Sequence, residues 1–472
     1  MASHYERLSA LDASFLEIEN ASSHMHVAVA LLFDAAPLRA SHGGIDMERV
    51  RAYVESRLQL LPRYRQRLTY VPVERHPAWI DDERFNLFYH VRHSALPRPG
   101  EERQLKRLCG RLLSQKLDST KPLWEIWVVE GLEGDQFALV AKAHHAMVDG
   151  VSGLDLLAVM LSPTPSATFE PAPPWRPRPG PTPAELLMGE FWRRSTGALS
   201  AARMGAGVLA SPFQSLQRGW ERAGDILEVL GSGSVPASPT PINSPIGPHR
   251  RFDWLRMSLD DVKAVKRELG GTVNDVVLAT VAGAARRFLI SRGLRTEGLD
   301  FRALVPVSLR SDEQRGELGN RVANFIAGMP IEEPDPRRRY ARIVDETSRR
   351  KRSRAVQGSE LLEDIGDWTM TAVLSQLIRL SVRRRAYNIV VTNVPGPQLP
   401  LFLMEAPLRE AYPMVPLFEN QAVGIALFSY AGGLFWGINA DWDAVPDLHD
   451  LTIALREEFD VLHRLSGSAT AA

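Results

Sequence analysis

With a single cysteine in 472 residues, Cys109, the chain cannot close a disulfide within itself. Neither charge is in excess: 56 Lys and Arg balance 56 Asp and Glu, so no global basic field points to nucleic acid. No G-x-S-x-G elbow is present to carry a nucleophilic serine. No Walker or G-x-G-x-x-G loop cradles a nucleotide phosphate. Cys109 itself lies in the helical pattern Gln104 to Leu113, where a small buried apolar side chain is expected rather than a nucleophile.

A true membrane-length apolar run is also missing. Ala422 to Ala440 carries no charge, but Ala431-Gly432-Gly433 interrupts it, and each half is only as long as a strand. A hairpin of two buried strands is the expectation. Met1-Ala2-Ser3-His4-Tyr5-Glu6-Arg7 lacks the basic-then-apolar order of a secretory leader, so a cytoplasmic protein is expected. Hydrophobic residues at 44% and charged residues at 24% describe a soluble globular chain. Its length exceeds one ordinary core, which predicts two domains and a connector.

Residues 1–161 form the first expected domain. In it His26 to Phe33, Leu123 to Val129 and Phe137 to Ala143 read as strands and Met47 to Leu61 as an amphipathic helix. Residues 162–248 read as a connector, because the proline crowding from Pro163 to Pro183 can continue neither a helix nor a central strand. Within it, Ala184 to Leu230 has an amphipathic helical pattern, with arginines beside Phe191, Trp192 and Trp220. Residues 249–472 form the second expected domain. Its strands are read at Phe301 to Val307, Arg321 to Met329, Tyr387 to Val394 and the two halves of the hairpin, and its helices at Val273 to Arg292 and Thr369 to Arg383. Sheet and helix alternate in both halves, giving a mixed α/β class.

What the chain does have is His144-His145-Ala146-Met147-Val148-Asp149-Gly150. Imidazole takes and returns a proton near neutrality. The apolar run before the pair and the helical spacing of Val151 to Met160 after it place both histidines where a buried strand turns into a helix. Gly150 is explained by a backbone that turns tightly or approaches closely. His24 and His26 read as two strand residues on one face without a nearby acidic or thiol ligand, so no metal is expected.

The motif has companions: Leu8 to Phe15, Met25-His26-Val27, Pro122-Leu123-Trp124, Asn274 to Ala279, and Asn393 to Pro397. Together they resemble the bacterial wax ester synthase/acyl-CoA:diacylglycerol acyltransferase family, from about residue 5 to 465. The H-H-x-x-x-D-G string alone is shared by many acyltransferases and condensation domains. The resemblance implies two chloramphenicol acetyltransferase-like domains in a pseudo-dimer, with the catalytic histidine midway along an interdomain tunnel. Acyl-CoA would enter from one face and a lipid alcohol from the other.

On that reading His145 is the general base and no acyl-enzyme forms. His144 either faces the ligand or supports the turn. The resemblance pairs Asp149 with an arginine of the other domain, and Arg310 is that partner by position. Asn274 and Asp275 are natural helix caps; the resemblance sets them beside the active site, where Asn274 would bond the oxyanion or orient His145. Pro122, Leu123 and Trp124 would form the tunnel wall or the core behind it.

No cofactor is implied, acyl-CoA being a substrate. The arginine clusters at 349–354 and 383–385 read as solvated helix faces, with CoA phosphates or an anionic bilayer as the alternative. The stretch from Ala184 to Leu230 allows peripheral contact with membrane or lipid inclusions. The implied activity is esterification of diacylglycerol, with long-chain alcohols as the alternative acceptor. Transfer from an acyl carrier protein, amide condensation, and lipid binding without turnover are the competing readings.

Overall fold

The computed structural model describes residues 5–147, 155–193, 195, 236–308, 322–355 and 385–467. Asp149, Gly150 and Arg310 lie outside the described residues, as do the expected helix at 369–383 and most of 184–230.

The first half contributes β1 (Glu6–Arg7), α1 (Ala10–Ile18), β2 (His26–Asp34), α2 (Met47–Leu58), β3 (Gln66–Tyr70) and β4 (Pro77–Asp81). There follow α3 (Leu87–His90), β5 (Val91–Ala95), α4 (Glu102–Ser114), β6 (Trp124–Leu132), β7 (Gln136–His144) and α5 (Asp155–Met160). The second half supplies β8 (Arg250–Ser258), α6 (Leu259–Leu269), α7 (Val273–Ser291), β9 (Phe301–Ser308), β10 (Val322–Met329), α8 (Pro336–Ala355) and β11 (Ile389–Pro395). It ends with β12 (Phe402–Leu403), β13 (Ala406–Met414), β14 (Val423–Tyr430), β15 (Gly433–Asp441) and α9 (Leu448–Gly467).

Two six-stranded mixed sheets organise these elements. One runs β12-β13-β2-β7-β6-β5, the other β10-β9-β11-β14-β15-β8, and a small third sheet runs β1-β4-β3. The uncharged stretch is the hairpin β14–β15, with Ala431 and Gly432 both at positive φ in its turn. Helix α2 stops at Leu58, three residues short of the expected Leu61, and a 3-10 turn follows at Pro62–Arg65. Proline fixes the backbone there and has no N–H to donate. Helix α4 starts from a reciprocal Glu101/Gln104 cap and buries Leu105, Leu108, Cys109, Leu112 and Leu113 along one stripe.

Sheet membership does not follow the expected segment boundaries at 161 and 248. Strand β13 pairs antiparallel with β2, Tyr412 opposite Ala30 and Met414 opposite Ala28, and so completes the first sheet from far along the chain. The first core likewise takes Leu408, Tyr412, Phe252, Trp254 and Phe435 from the second half, whereas the second core is built from residues 242–462 alone. Arg250 ties the halves at their seam. Buried, it donates to the carbonyls of Ser22 and Gly247 and lies 3.6 Å from Asp441, while its own N–H bonds Ser114 Oγ at 2.8 Å.

Candidate active site

Strand β7 ends on His144, and His145 opens a 3-10 turn of three residues, His145–Met147. Neighbouring chain segments hold both backbone N–H groups. His144 N donates to Leu123 O at 2.9 Å, and His145 N donates to Met25 O at 2.7 Å. The pair is thus pinned from the two sides of β7, since β2 and β6 are its neighbours in the sheet. A functional group held this way spends little entropy on finding its working position.

The His144 ring bonds within the turn: Ala146 N donates to its Nδ1 at 3.0 Å. The His145 ring stacks on Phe15 of α1, with centroids 3.9 Å apart and planes 28° from parallel. His145 keeps part of its surface exposed, while its Nδ1 is buried with no hydrogen bond of good geometry. Burial lowers its pKa to about 4, and its own backbone carbonyl acts in the opposite sense. Burial, then the neighbouring His145 and Lys116, lowers His144 to about 3. Both rings are therefore neutral at pH 7, the state a general base requires.

Behind the pair lies a buried polar cluster that the sequence reading did not assemble. The register of β2 on β7 sets His26 opposite His144, with ring centroids 6.0 Å apart, and His24 lies 5.4 Å from His26. Glu19, one residue past α1, directs Oε1 to within 3.6 Å of His26 Nε2 and 3.7 Å of His144 Nε2; its Oε2 meets Lys116 Nζ at 2.8 Å. Burial is the main cause that lowers the pKa of both His24 and His26. Among the described residues no group of three or more His, Cys, Asp or Glu is arranged to hold a metal ion.

The other expected site residues fall in three places. Pro122 is buried, and Leu123 and Trp124 belong to the first core; the Trp124 indole donates to Tyr64 O at 2.7 Å and stacks on His90 with centroids 4.6 Å apart. Asn274 is half-buried in the first turn of α7. Asp275 closes that helix's cap, accepting from Thr272 N at 2.7 Å and from Thr347 Oγ1 at 2.6 Å. Arg349 and Arg350 pair with Glu346 along α8. A groove of about 900 Å³ opens at the seam between α4, β8 and the start of α9, lined by Arg103, Lys106, Arg107, Arg251 and Trp442 among others. Phe15 and Glu19 were missed as site residues. Phe15 closes the companion stretch Leu8 to Phe15, and Glu19 offered only its place four residues further on, at the end of α1.

The family described as wax ester synthase/diacylglycerol acyltransferase catalytic domain matches residues 8–277, and its C-terminal domain matches 318–463. A Mycobacterium tuberculosis protein named as a diacylglycerol O-acyltransferase is 34% identical over 94% of this chain and 87% of its own length. "Probable diacylglycerol O-acyltransferase tgs1" of the same species is 32% identical, covering 95% and 94%. The solved wax ester synthase/diacylglycerol acyltransferase of Marinobacter aquaeolei VT8 superposes with a TM-score of 0.72 at 24% identity, covering 98% of this chain and 100% of that one. The starter condensation domain of rhizomide synthetase gives 0.58 at 12% identity, covering 99% and 95%. These two structures are alike in fold to the two-sheet architecture seen here.

Proposed function

Because the chain belongs to the wax ester synthase/diacylglycerol acyltransferase family and is an acyltransferase, we propose that it moves a long-chain fatty acyl group from acyl-CoA to the hydroxyl of diacylglycerol, forming triacylglycerol. The observation that carries this reading is His145: neutral, stacked on Phe15, and fixed by the Met25 carbonyl at the head of a turn. His145 takes the acceptor's hydroxyl proton as that oxygen attacks the thioester carbon. The tetrahedral centre then collapses, the carbon–sulfur bond breaks, and the imidazolium returns the proton to the CoA thiolate. Asn274 is assigned to the oxyanion or to the orientation of His145. Asp149 and Arg310 are assigned to an ion pair that holds the turn to the second half.

Direct transfer without an acyl-enzyme is supported by the state of the one thiol. Cys109 is fully buried and its pKa is pushed up to about 12, so it offers no thiolate near neutrality. Diacylglycerol is placed first because relatives bearing that activity in their names match nearly end to end. The family description also covers wax esters, so a long-chain alcohol is the second acceptor. Among the described residues no helix is long and apolar enough to cross a membrane. The helix at 183–193 exposes Leu187, Met188, Phe191 and Trp192, which favours peripheral contact with a lipid surface.

The test is thiol release from palmitoyl-CoA, with dipalmitoylglycerol and hexadecanol offered in parallel and His145→Ala as the control. Ester formation that vanishes in the variant is expected, and the ratio of the two rates ranks the acceptors. A His145→Ala rate within about tenfold of wild type would overturn the base assignment. Turnover only with an acyl carrier protein would replace the donor.

A further inference from the structure

We propose that Glu19 is a positioning residue for the histidine pair, holding His144 in one tautomer so that the turn presenting His145 keeps its shape. The inference rests on the reading of His145 as the base.

Helix α1 starts at the Ser9 cap and ends at Ile18; Phe15 lies in its last turns and Glu19 caps its end with extended backbone, and both side chains reach the histidine pair. The first covers the His145 ring and the second addresses His144 from behind. The Glu19 side chain is only 7% exposed, yet its Oε1 has no hydrogen bond, and neither has His144 Nε2. Two complementary unsatisfied atoms facing each other at 3.7 Å are one small side-chain rotation from a bond.

Which ring carries the proton follows from the partners already placed. His26 Nε2 accepts from Leu117 N at 3.4 Å, so a neutral His26 has no proton there to give Glu19. His144 Nδ1 accepts from Ala146 N at 3.0 Å, which leaves the proton of the neutral ring on Nε2, facing the carboxylate. Lys116 on Oε2 anchors the other oxygen of Glu19. The result is a chain from Lys116 through Glu19 and His144 to the peptide N–H of Ala146, the residue after the base. If the His144 ring flips, Ala146 N loses its acceptor, and the turn keeps only the His145 N–Met25 O bond and the Phe15 contact to set the position of His145.

The experiment uses the full chain and two readouts. In wild-type protein labelled with ¹⁵N-histidine, long-range ¹H–¹⁵N spectra should show His144 as the Nε2–H tautomer; an Nδ1–H tautomer overturns the proposal whatever any variant does. Glu19→Gln should lower kcat for palmitoyl-CoA about tenfold or more with KM within about twofold, the pattern of a lost outer partner of a working histidine, and Glu19→Asp should recover part of it. An unchanged kcat in Glu19→Gln, or equal losses in both variants tracking equal losses of Tm, refutes the positioning role. Should His145→Ala retain turnover, the base assignment falls instead, and the tautomer still decides the role of Glu19.

Discussion

Replacing Gly437 with alanine probes how tightly the two sheets are joined. Gly437 is in the middle of β15, hydrogen-bonded to β14 on one side and β8 on the other. A Cβ at that position would stand 1.8 Å from the carbonyl oxygen of Pro413 and 3.2 Å from the Phe252 ring. Pro413 is in β13, opposite Val29 of β2, so the clash falls between one sheet and the other. Relief requires the strands to part by roughly 1.6 Å, and neither can withdraw without loosening its own ladder. Overpacking of this kind costs about 1–3 kcal/mol, and a weakened ladder bond adds about 1 kcal/mol. The lower entropy of the unfolded alanine chain offsets about 0.4–1 kcal/mol. A net loss of about 2–3 kcal/mol should lower the Tm of the unit built on the second core, residues 242–462, by roughly 4–12 °C. Gly328→Ala is the control: its Cβ would meet only Glu346 Oε1 at 3.8 Å, on edge strand β10. Scanning calorimetry of both variants beside wild type is the assay. If Gly437→Ala melts within about 2 °C of the control, the sheets are not packed as tightly as described.

Two further outcomes follow from the buried titratable groups. His144 and His145 have folded pKa values of about 3 and 4 against an ordinary 6.5, so their stabilising neutrality is fully present above pH 6.5 and is lost as pH falls toward 4. Tm should therefore drop between about pH 7.5 and pH 5, by less in His144→Asn than in wild type, and a flat profile would refute the burial argument. Native protein should leave Cys109 unalkylated by iodoacetamide at neutral pH and label it only in denaturant, while Cys109→Ala keeps its turnover; loss of turnover in that variant would reinstate a thiol intermediate.

Much of the local structure was legible in the chain because its signals are local. The hairpin at Val423–Asp441 announces itself by two strand-length apolar runs around Ala431-Gly432-Gly433, and no other element accommodates both the runs and the break. The capping pattern Thr272 to Asp275 marks the start of α7 in the same way. Strand β8 was missed, since Arg250, Arg251, Asp253 and Arg256 hide its alternation, and as an edge strand it can carry such charges. Phe15 and Glu19 were visible in the chain but not as site residues, because periodicity says which face is turned inward and not what it meets.

By itself, then, the sequence determined the mixed α/β class, most of the central strands, and the His144-His145 pair at a strand end. Only the tertiary structure decided that β13 leaves its own half to finish the first sheet, that Met25 and Leu123 clamp the pair, and that Glu19 faces His144. The reason is physical: backbone propensity and apolar spacing act over a few residues, whereas partners hundreds of residues apart are selected by which arrangement buries both cores at once. The neutrality of His145 belongs to the same class, since an imidazole's proton affinity is set by the burial that only the assembled fold provides.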